Sequence, residues 1–185
     1  MIGYTKRKYC AGCDETDFLS VLSLGEVPLA GVFPLKEELE NESKYPLNLL
    51  FCKECNLVQT DSFIEPQILF EDYRYISSIG LSNHFKNVAD ILDEKYDVEG
   101  LNILEIGCND GVWGVKHVLR PEGDFVFEVH YLQSLIDGKQ WDNIYHEHIF
   151  YHSITGLNNL FQKYGMTIVD FEKIPIHSGS IRVTV

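Results

Sequence analysis

The chain is short of positive charge. Its 185 residues carry 15 Lys and Arg against 28 Asp and Glu, a formal charge of -13. A field of that sign repels phosphate backbones and anionic lipid headgroups, which argues against a non-specific nucleic-acid or membrane-surface binder. A local pocket for a phosphorylated small molecule remains open. Long apolar runs are missing too. No stretch approaches the roughly 18 consecutive apolar residues of a membrane-spanning helix. Residues 1–10 are basic and lack an apolar core, so no signal peptide is expected. The expectation is a cytoplasmic protein with reduced thiols, in which paired cysteines read as metal ligands before disulfides. Internal repeats and low-complexity tracts are absent.

Bulk is present. Apolar residues make up 45% of the chain and aromatics 12%, enough to fill a core in one domain or two small ones. Three regions differ in pattern. Residues 1–65 hold four of the five cysteines and the turn residues Gly25, Pro28, Gly31, Pro34 and Pro46. Residues 66–100 read as a helical connector. Phe85, Val88, Ala89 and Leu92 fall on one face of a helix over about Ser82 to Tyr96. Residues 101–185 alternate strand and helix patterns. Strands are expected at 101–106, 125–129, 166–172 and 180–185. A helix is expected over about Ser153 to Tyr164, with Leu157, Leu160, Phe161 and Tyr164 inward and Gly165 past its end.

Two CxxC pairs, Cys10/Cys13 and Cys52/Cys55, are separated by 38 residues. Tetrahedral zinc takes four thiolates at about 2.3 Å, and each CxxC turn supplies two. Gly12 sits where a backbone N–H can approach sulfur. The long spacer must hold structure of its own. Two redox motifs or four unrelated core thiols are the competing readings, and two pairs in one chain favour structural zinc. Such a closed site is worth of order 10–16 kcal/mol of folding free energy in small zinc peptides. Cys108 is left over and reads as a small residue in a tight turn.

Leu104-Glu105-Ile106-Gly107-Cys108-Asn109-Asp110-Gly111 places a glycine turn after a strand. Glycines there let a ligand approach the backbone, and Glu105 is poised to meet a cation. Residues 142–152 concentrate three of the seven histidines, His146, His148 and His152. Imidazole carries protons near neutral pH, and Glu147 can tune it. A second metal site on these histidines and a plain solvated loop are the alternatives. The spacing HExxH is absent, which argues against a zinc protease. A further polar cluster, His177-Ser178-Gly179-Ser180 with Arg182, precedes the last strand.

In order along the chain, these motifs resemble the SAM-dependent sugar C-methyltransferases with an N-terminal zinc-binding domain, which act on nucleotide-linked 4-keto deoxysugars. The matching segments are the two cysteine pairs, the second running on through Asn56-Leu57-Val58-Gln59; Val27-Pro28-Leu29-Ala30-Gly31-Val32-Phe33-Pro34; Tyr45-Pro46-Leu47; Tyr73-Arg74-Tyr75; Glu105 to Gly111; Tyr145-His146-Glu147-His148; and His177 to Val183. The resemblance implies an α/β protein: a small four-cysteine zinc-binding N-terminal domain followed by a truncated Rossmann-like methyltransferase domain. It implies zinc on Cys10, Cys13, Cys52 and Cys55. It implies SAM at Glu105, Gly107, Asn109, Asp110 and Gly111. Tyr145, His146, Glu147 and His148 would form the catalytic group, with Glu147 or His148 as the base that makes a sugar enolate. Tyr73, Tyr75, His177, Ser180 and Arg182 would face the sugar nucleotide.

One departure stands out. Asn109-Asp110-Gly111 leads almost at once to Gly114-Val115-Lys116-His117-Val118-Leu119-Arg120-Pro121, which looks like a late segment of the family. About three strand–helix units, roughly 90 residues at about 30 each, are missing between them. The loss exposes sheet edges, which favours self-association. A catalytically silent, zinc-stabilised remnant that binds a sugar nucleotide or a protein partner is the alternative reading. A DNA-binding zinc ribbon is opposed by the net charge.

Overall fold

The computed structural model describes residues 3–70, 78–96, 123–177 and 179–185. The expected strand at 101–106 and the glycine turn that follows it lie outside these residues.

The spacer between the cysteine pairs is a long hairpin. Strand β1 (Tyr4–Lys6) precedes it, and β2 (Phe18–Pro28) pairs antiparallel with β3 (Lys44–Cys52). Phe18 lies opposite Cys52, so the hairpin closes where the two CxxC turns must meet. Its outer strand is irregular. The register shifts between Ser20 and Leu22 and again between Ser23 and Glu26, and Gly25 there takes φ +73°. Such bulges bend a strand that has no partner on its outer side among the described residues. Strand β4 (Val58–Thr60) continues the sheet, and β5 (Ser62–Ile64) pairs with β1. The core of this part is Leu47, Leu49 and Val58, closed by Ile144 and Tyr151 from far along the chain.

Short helix α1 (Pro66–Phe70) is followed by α2 (Ser78–Tyr96), which begins four residues earlier than the sequence pattern suggests. Its contact face is also rotated. Ala89 is exposed, whereas Ile91, Leu92, Lys95 and Tyr96 line a shallow hollow with Val126, Glu172, Arg182 and Thr184. The apolar repeat counted Ala89 because it weighed hydropathy alone. His84 instead turns to the sheet, 2.7 Å from Glu128, while Lys95 stays exposed and reaches Asp170 at 3.9 Å.

Strand β6 (Val126–His130) leads into α3 (Leu132–Asp137), a 3₁₀ turn over Trp141–Asn143, the two-residue β7 (Phe150–Tyr151) and α4 (Ile154–Lys163). Strands β8 (Asp170–Ile174) and β9 (Ser180–Thr184) complete a sheet ordered β6-β9-β8. Helix α4 forms where the sequence predicts it. Ser153 Oγ accepts from the Gly156 N–H at 3.0 Å, and Gly165 at φ +73° follows the helix end. Strand β8 starts later than expected, at Asp170.

Both pairings in this sheet are antiparallel, so β6 and β8 run parallel to each other on either side of β9. The described residues thus form a mixed helix–strand fold with an N-terminal four-cysteine cluster. Strand alternation gives β9 two faces. Ile181 and Val183 pack with Leu157 and Phe161 of α4, while Arg182 and Thr184 point to α2. Phe161 is fully enclosed, its ring 5.6 Å from Phe127 and 6.3 Å from Phe125.

Candidate functional site

Four thiols converge at the open end of the hairpin. Cys10 Sγ lies 3.5 Å from Cys55 Sγ, and Cys13 Sγ lies 3.5 Å from Cys52 Sγ. All four ligand atoms fall within 4.8 Å of one another, and none forms a disulfide. Tetrahedral zinc at about 2.3 Å from each sulfur requires sulfurs about 3.8 Å apart, so the cluster fits the ion with little movement. N–H donors already point at sulfur: Gly12 N at 3.4 Å and Gln59 Nε2 at 3.1 Å, both to Cys10. Burial pushes the Cys10 thiol up, yet these donors outweigh it and leave the group below its ordinary value. Burial also drives Cys13 up to about 11 and Cys55 higher still. Without a cation the four cannot all be thiolates. With no open position, zinc here holds structure.

The histidine-bearing segment, 145–152, lies across this part of the molecule. Strand β7 pairs with β4, setting Phe150 opposite Gln59 and Tyr151 opposite Val58. The Thr60 N–H donates to the Ile149 carbonyl at 3.0 Å. Anchored at that end, the segment folds back on itself. His148 Nδ1 is 2.9 Å from the Asn143 carbonyl oxygen, and Nε2 is 2.6 Å from the Tyr145 hydroxyl. A carbonyl only accepts, so Nδ1 carries the hydrogen and Nε2 keeps its lone pair. The Tyr145 O–H therefore donates to His148.

The ring of His148 has a second neighbour. His130, the last residue of β6, lies 4.6 Å from it and stacks on His177 at 5.3 Å and 17°. Burial lowers His148, and the His177 ring lowers it further against the pull of the Asn143 carbonyl. Burial lowers His130 to about 4, with His148, His177 and His152 adding to the effect. His152 is lowered to about 4 by burial alone. Burial thus favours the neutral form of His130, His148 and His152.

The other residues singled out from sequence are dispersed. His146 turns toward β3: it is 5% exposed, its Nε2 donates to the Tyr45 carbonyl at 3.3 Å, and its buried Nδ1 has no hydrogen-bond partner among the described residues. Glu147 is half-buried, and burial raises its carboxyl. Its Oε1 faces Gly31, where an added Cβ would come within 3.3 Å. Ser180 donates to the Ile176 carbonyl at 3.2 Å. Arg182 is held by Glu128 and Glu172, and Glu128 also bonds His84 at 2.7 Å. Gly179 has φ +123°, and an added Cβ would meet Ser134 Cβ at 2.6 Å, so α3 and the turn exclude any side chain there. Tyr73, Tyr75, Glu105, Gly107, Asn109, Asp110, Gly111 and Ser178 lie outside the described residues.

Sequence reasoning missed His130 by ending its strand at Val129. The signal was there, because alternation along Val126, Glu128 and His130 puts all three on one face. Gln59 was quoted within a motif but given no role, and Asn159 was not noticed.

Residues 10–70 match the family model of a methyltransferase-associated zinc binding domain. The chain is similar to the C-methyltransferase NovU of Streptomyces niveus, with 26% identity over 94% of this chain and 59% of that protein. The chain thus spans less than two thirds of this relative. The matched region is 249 residues long, more than the 185 of the whole chain, so it bridges residues that this chain lacks internally. No described helix is long and apolar enough to cross a membrane. The chain is thus similar to a zinc-binding domain family over its cysteine centre, and to a C-methyltransferase along most of its length.

Proposed function

We propose that this chain generates a sugar enolate for SAM-dependent C-methylation of a nucleotide-linked 4-keto deoxysugar. The observation that carries the reading is the Tyr145–His148 pair, an O–H donor 2.6 Å from an imidazole lone pair. A hydrogen on the carbon beside a ketone is acidic because its loss gives an enolate. Removing it needs a base at carbon and a donor at oxygen. In this reading the ketone oxygen takes over the Tyr145 O–H, which frees His148 Nε2. His148 then accepts the proton, the C–H electron pair becomes the enolate, and Tyr145 holds the oxyanion. Burial and the neighbouring His177 keep His148 neutral at pH 7, the state a base requires. Glu147, whose burial beside Gly31 favours its protonated form, fits a supporting part better than the base. His130 and His177 would wall the sugar pocket, and Tyr73, Tyr75 and Ser180 keep their assignment as sugar-facing residues in the same reading, whereas Arg182, held by Glu128 and Glu172, supports the sheet from behind.

SAM, when bound, supplies a methyl group on a sulfonium sulfur, and its assigned turn is 105–111. The Rossmann-like character of the domain, its extent over residues 101–185, and a cytoplasmic setting among soluble metabolites belong to the same proposal.

Two experiments test the two halves. Zinc-loaded protein incubated with a 4-keto deoxysugar nucleotide in D2O is expected to speed exchange beside the ketone, and His148→Asn to abolish it. Exchange at the buffer rate sinks the base assignment. Calorimetric titration with SAM is expected to show micromolar binding. Absence of binding at millimolar SAM removes the cofactor assignment and leaves the base assignment standing.

A further inference from the structure

Helix α4 has two faces, and both are occupied. Leu157 and Phe161 enter the core under the β6-β9-β8 sheet. Gly156, Asn159 and Lys163, one face at i, i+3 and i+7, lie against the cysteine turns. Asn159 Nδ2 donates to the Cys55 carbonyl at 3.1 Å and to Asn56 Oδ1 at 3.0 Å. Asn56 takes φ +63°, a left-handed conformation that this contact helps hold. An added Cβ at Gly156 would come within 3.1 Å of the Asn56 carbonyl oxygen, so the helix approaches the turn backbone directly. Lys163 Nζ reaches the Gly12 carbonyl in the first turn at 3.2 Å.

A second link runs through Gln59, which is fully buried. Its amide donates to Cys10 Sγ at 3.1 Å and accepts from the Ala11 N–H at 3.1 Å. Its backbone lies opposite Phe150, two residues past His148. The C-terminal end of the 145–152 segment is therefore tied to β4 and runs directly into α4, both of which touch the cysteine turns.

We propose that Gln59 and Asn159 are positioning residues that make the zinc centre the anchor of the Tyr145–His148 pair. A structural ion here fixes more than its own turns. It sets the height of β4 and the seat of α4, and the reactive pair sits directly before the stretch that both hold. Groups around metal ligands commonly change metal retention about 10–100-fold when lost. The chemistry of Asn159 makes the point testable. Asp has the same shape and no N–H donor, and it would turn a carboxylate toward two oxygens. The inference rests on reading the Tyr145–His148 pair as the reacting one, but its test reads the ring and the ion without turnover. Failure of the D2O exchange would leave this coupling intact.

The test compares zinc-loaded wild type with Asn159→Asp and Gln59→Glu, each checked for fold by circular dichroism. Zinc release to a colour-forming chelator is timed, and the His148 ring nitrogens are followed by 15N NMR. Wild type should show one tautomer, with hydrogen on Nδ1. Both variants should release zinc about tenfold faster and show His148 averaging between tautomers. Stripping zinc from wild type should move the same signals the same way. Faster release with unchanged His148 signals would reduce both residues to local supports of the turns and overturn the proposal. Wild-type release would overturn it as well. Should either variant fail to fold, Lys163→Ala, which removes only a partly exposed contact, is expected to show the same two changes on a smaller scale, and their absence overturns the proposal.

Discussion

The Tyr145 hydroxyl and His148 Nε2 are 2.6 Å apart, while the other nitrogen of the same ring is 2.9 Å from the Asn143 carbonyl oxygen. The carbonyl dictates the tautomer, and the tautomer dictates which way the hydroxyl points. A backbone group thus decides that the phenol donates and the imidazole receives.

Tyr145→Phe should therefore raise the His148 pKa. The lost O–H had stabilised the neutral lone pair. One hydrogen bond is worth about 1 kcal/mol, so the rise should stay under roughly one pKa unit. The same variant should slow exchange beside the ketone by about 10²-fold, because the oxyanion loses its donor. NMR titration of the ring checks the first point. An unchanged His148 titration would mean the hydroxyl does not govern this ring.

Ser153 caps α4 by accepting the Gly156 N–H. Ser153→Ala should cost about 1 kcal/mol, a fall of about 2–4 °C in a thermal melt for a chain of this size. Ser153→Asp should restore most of it, since a carboxylate caps as well. A melt unchanged by the alanine variant would show that the sheet core alone holds the helix.

Much of this site was legible in the sequence, and the reasons differ from residue to residue. The cysteine centre was legible because CxxC spacing is local and metal geometry is strict. Tyr145 and His148 lie three residues apart, so one turn brings them together. Helix α4 announced itself by period, cap and Gly165. Strand β7 was not legible, because two residues carry no periodicity and its partner β4 lies about 90 positions earlier in the chain. His130 and His177 meet only because β6 and β9 pair in a register that sets His130 opposite Ser180. The polar side of α2 was hidden for a related reason. Its partners Glu128 and Asp170 sit on strands that sequence periodicity cannot orient toward it.

Arg182 gives a sharper test of stability against substrate binding. Its side chain is 8% exposed and is shared by Glu128, 21% exposed, and Glu172, 57% exposed. Removing one partner of a buried ion pair leaves an uncompensated charge, at a cost of about 3–5 kcal/mol. The contact to Glu172 is open to water and adds little of this. Arg182→Ala should lower the melting temperature by roughly 10 °C. Pairing it with Glu128→Gln should recover part of the loss, because the carboxylate left with only His84 beside it is then neutral. A wild-type melt in the single variant would show that Arg182 is free for a ligand.

Acid should unfold the protein through its histidines. His130 and His152 are held at about 4, against an ordinary value of 6.5, because burial disfavours the imidazolium. His146 and His148 are shifted the same way. In the unfolded chain these rings bind protons near pH 6.5, whereas in the fold His130 and His152 do not take them up until about pH 4 and His146 and His148 are shifted in the same direction. Stability is therefore fully present above about 6.5 and falls as pH drops through this window. Glu147 acts in the opposite sense, since burial raises its carboxyl and its proton is bound more readily in the fold. One such group against four leaves the net slope downward toward acid. The melting temperature should be lower at pH 5 than at pH 7. His130→Asn should flatten that dependence, because the variant no longer has that ring to keep neutral. Zinc content measured at each pH separates this effect from thiolate protonation. A His130→Asn protein with the wild-type pH slope and full zinc would show that the ring is protonated in the fold, and the neutral histidine array would be wrong.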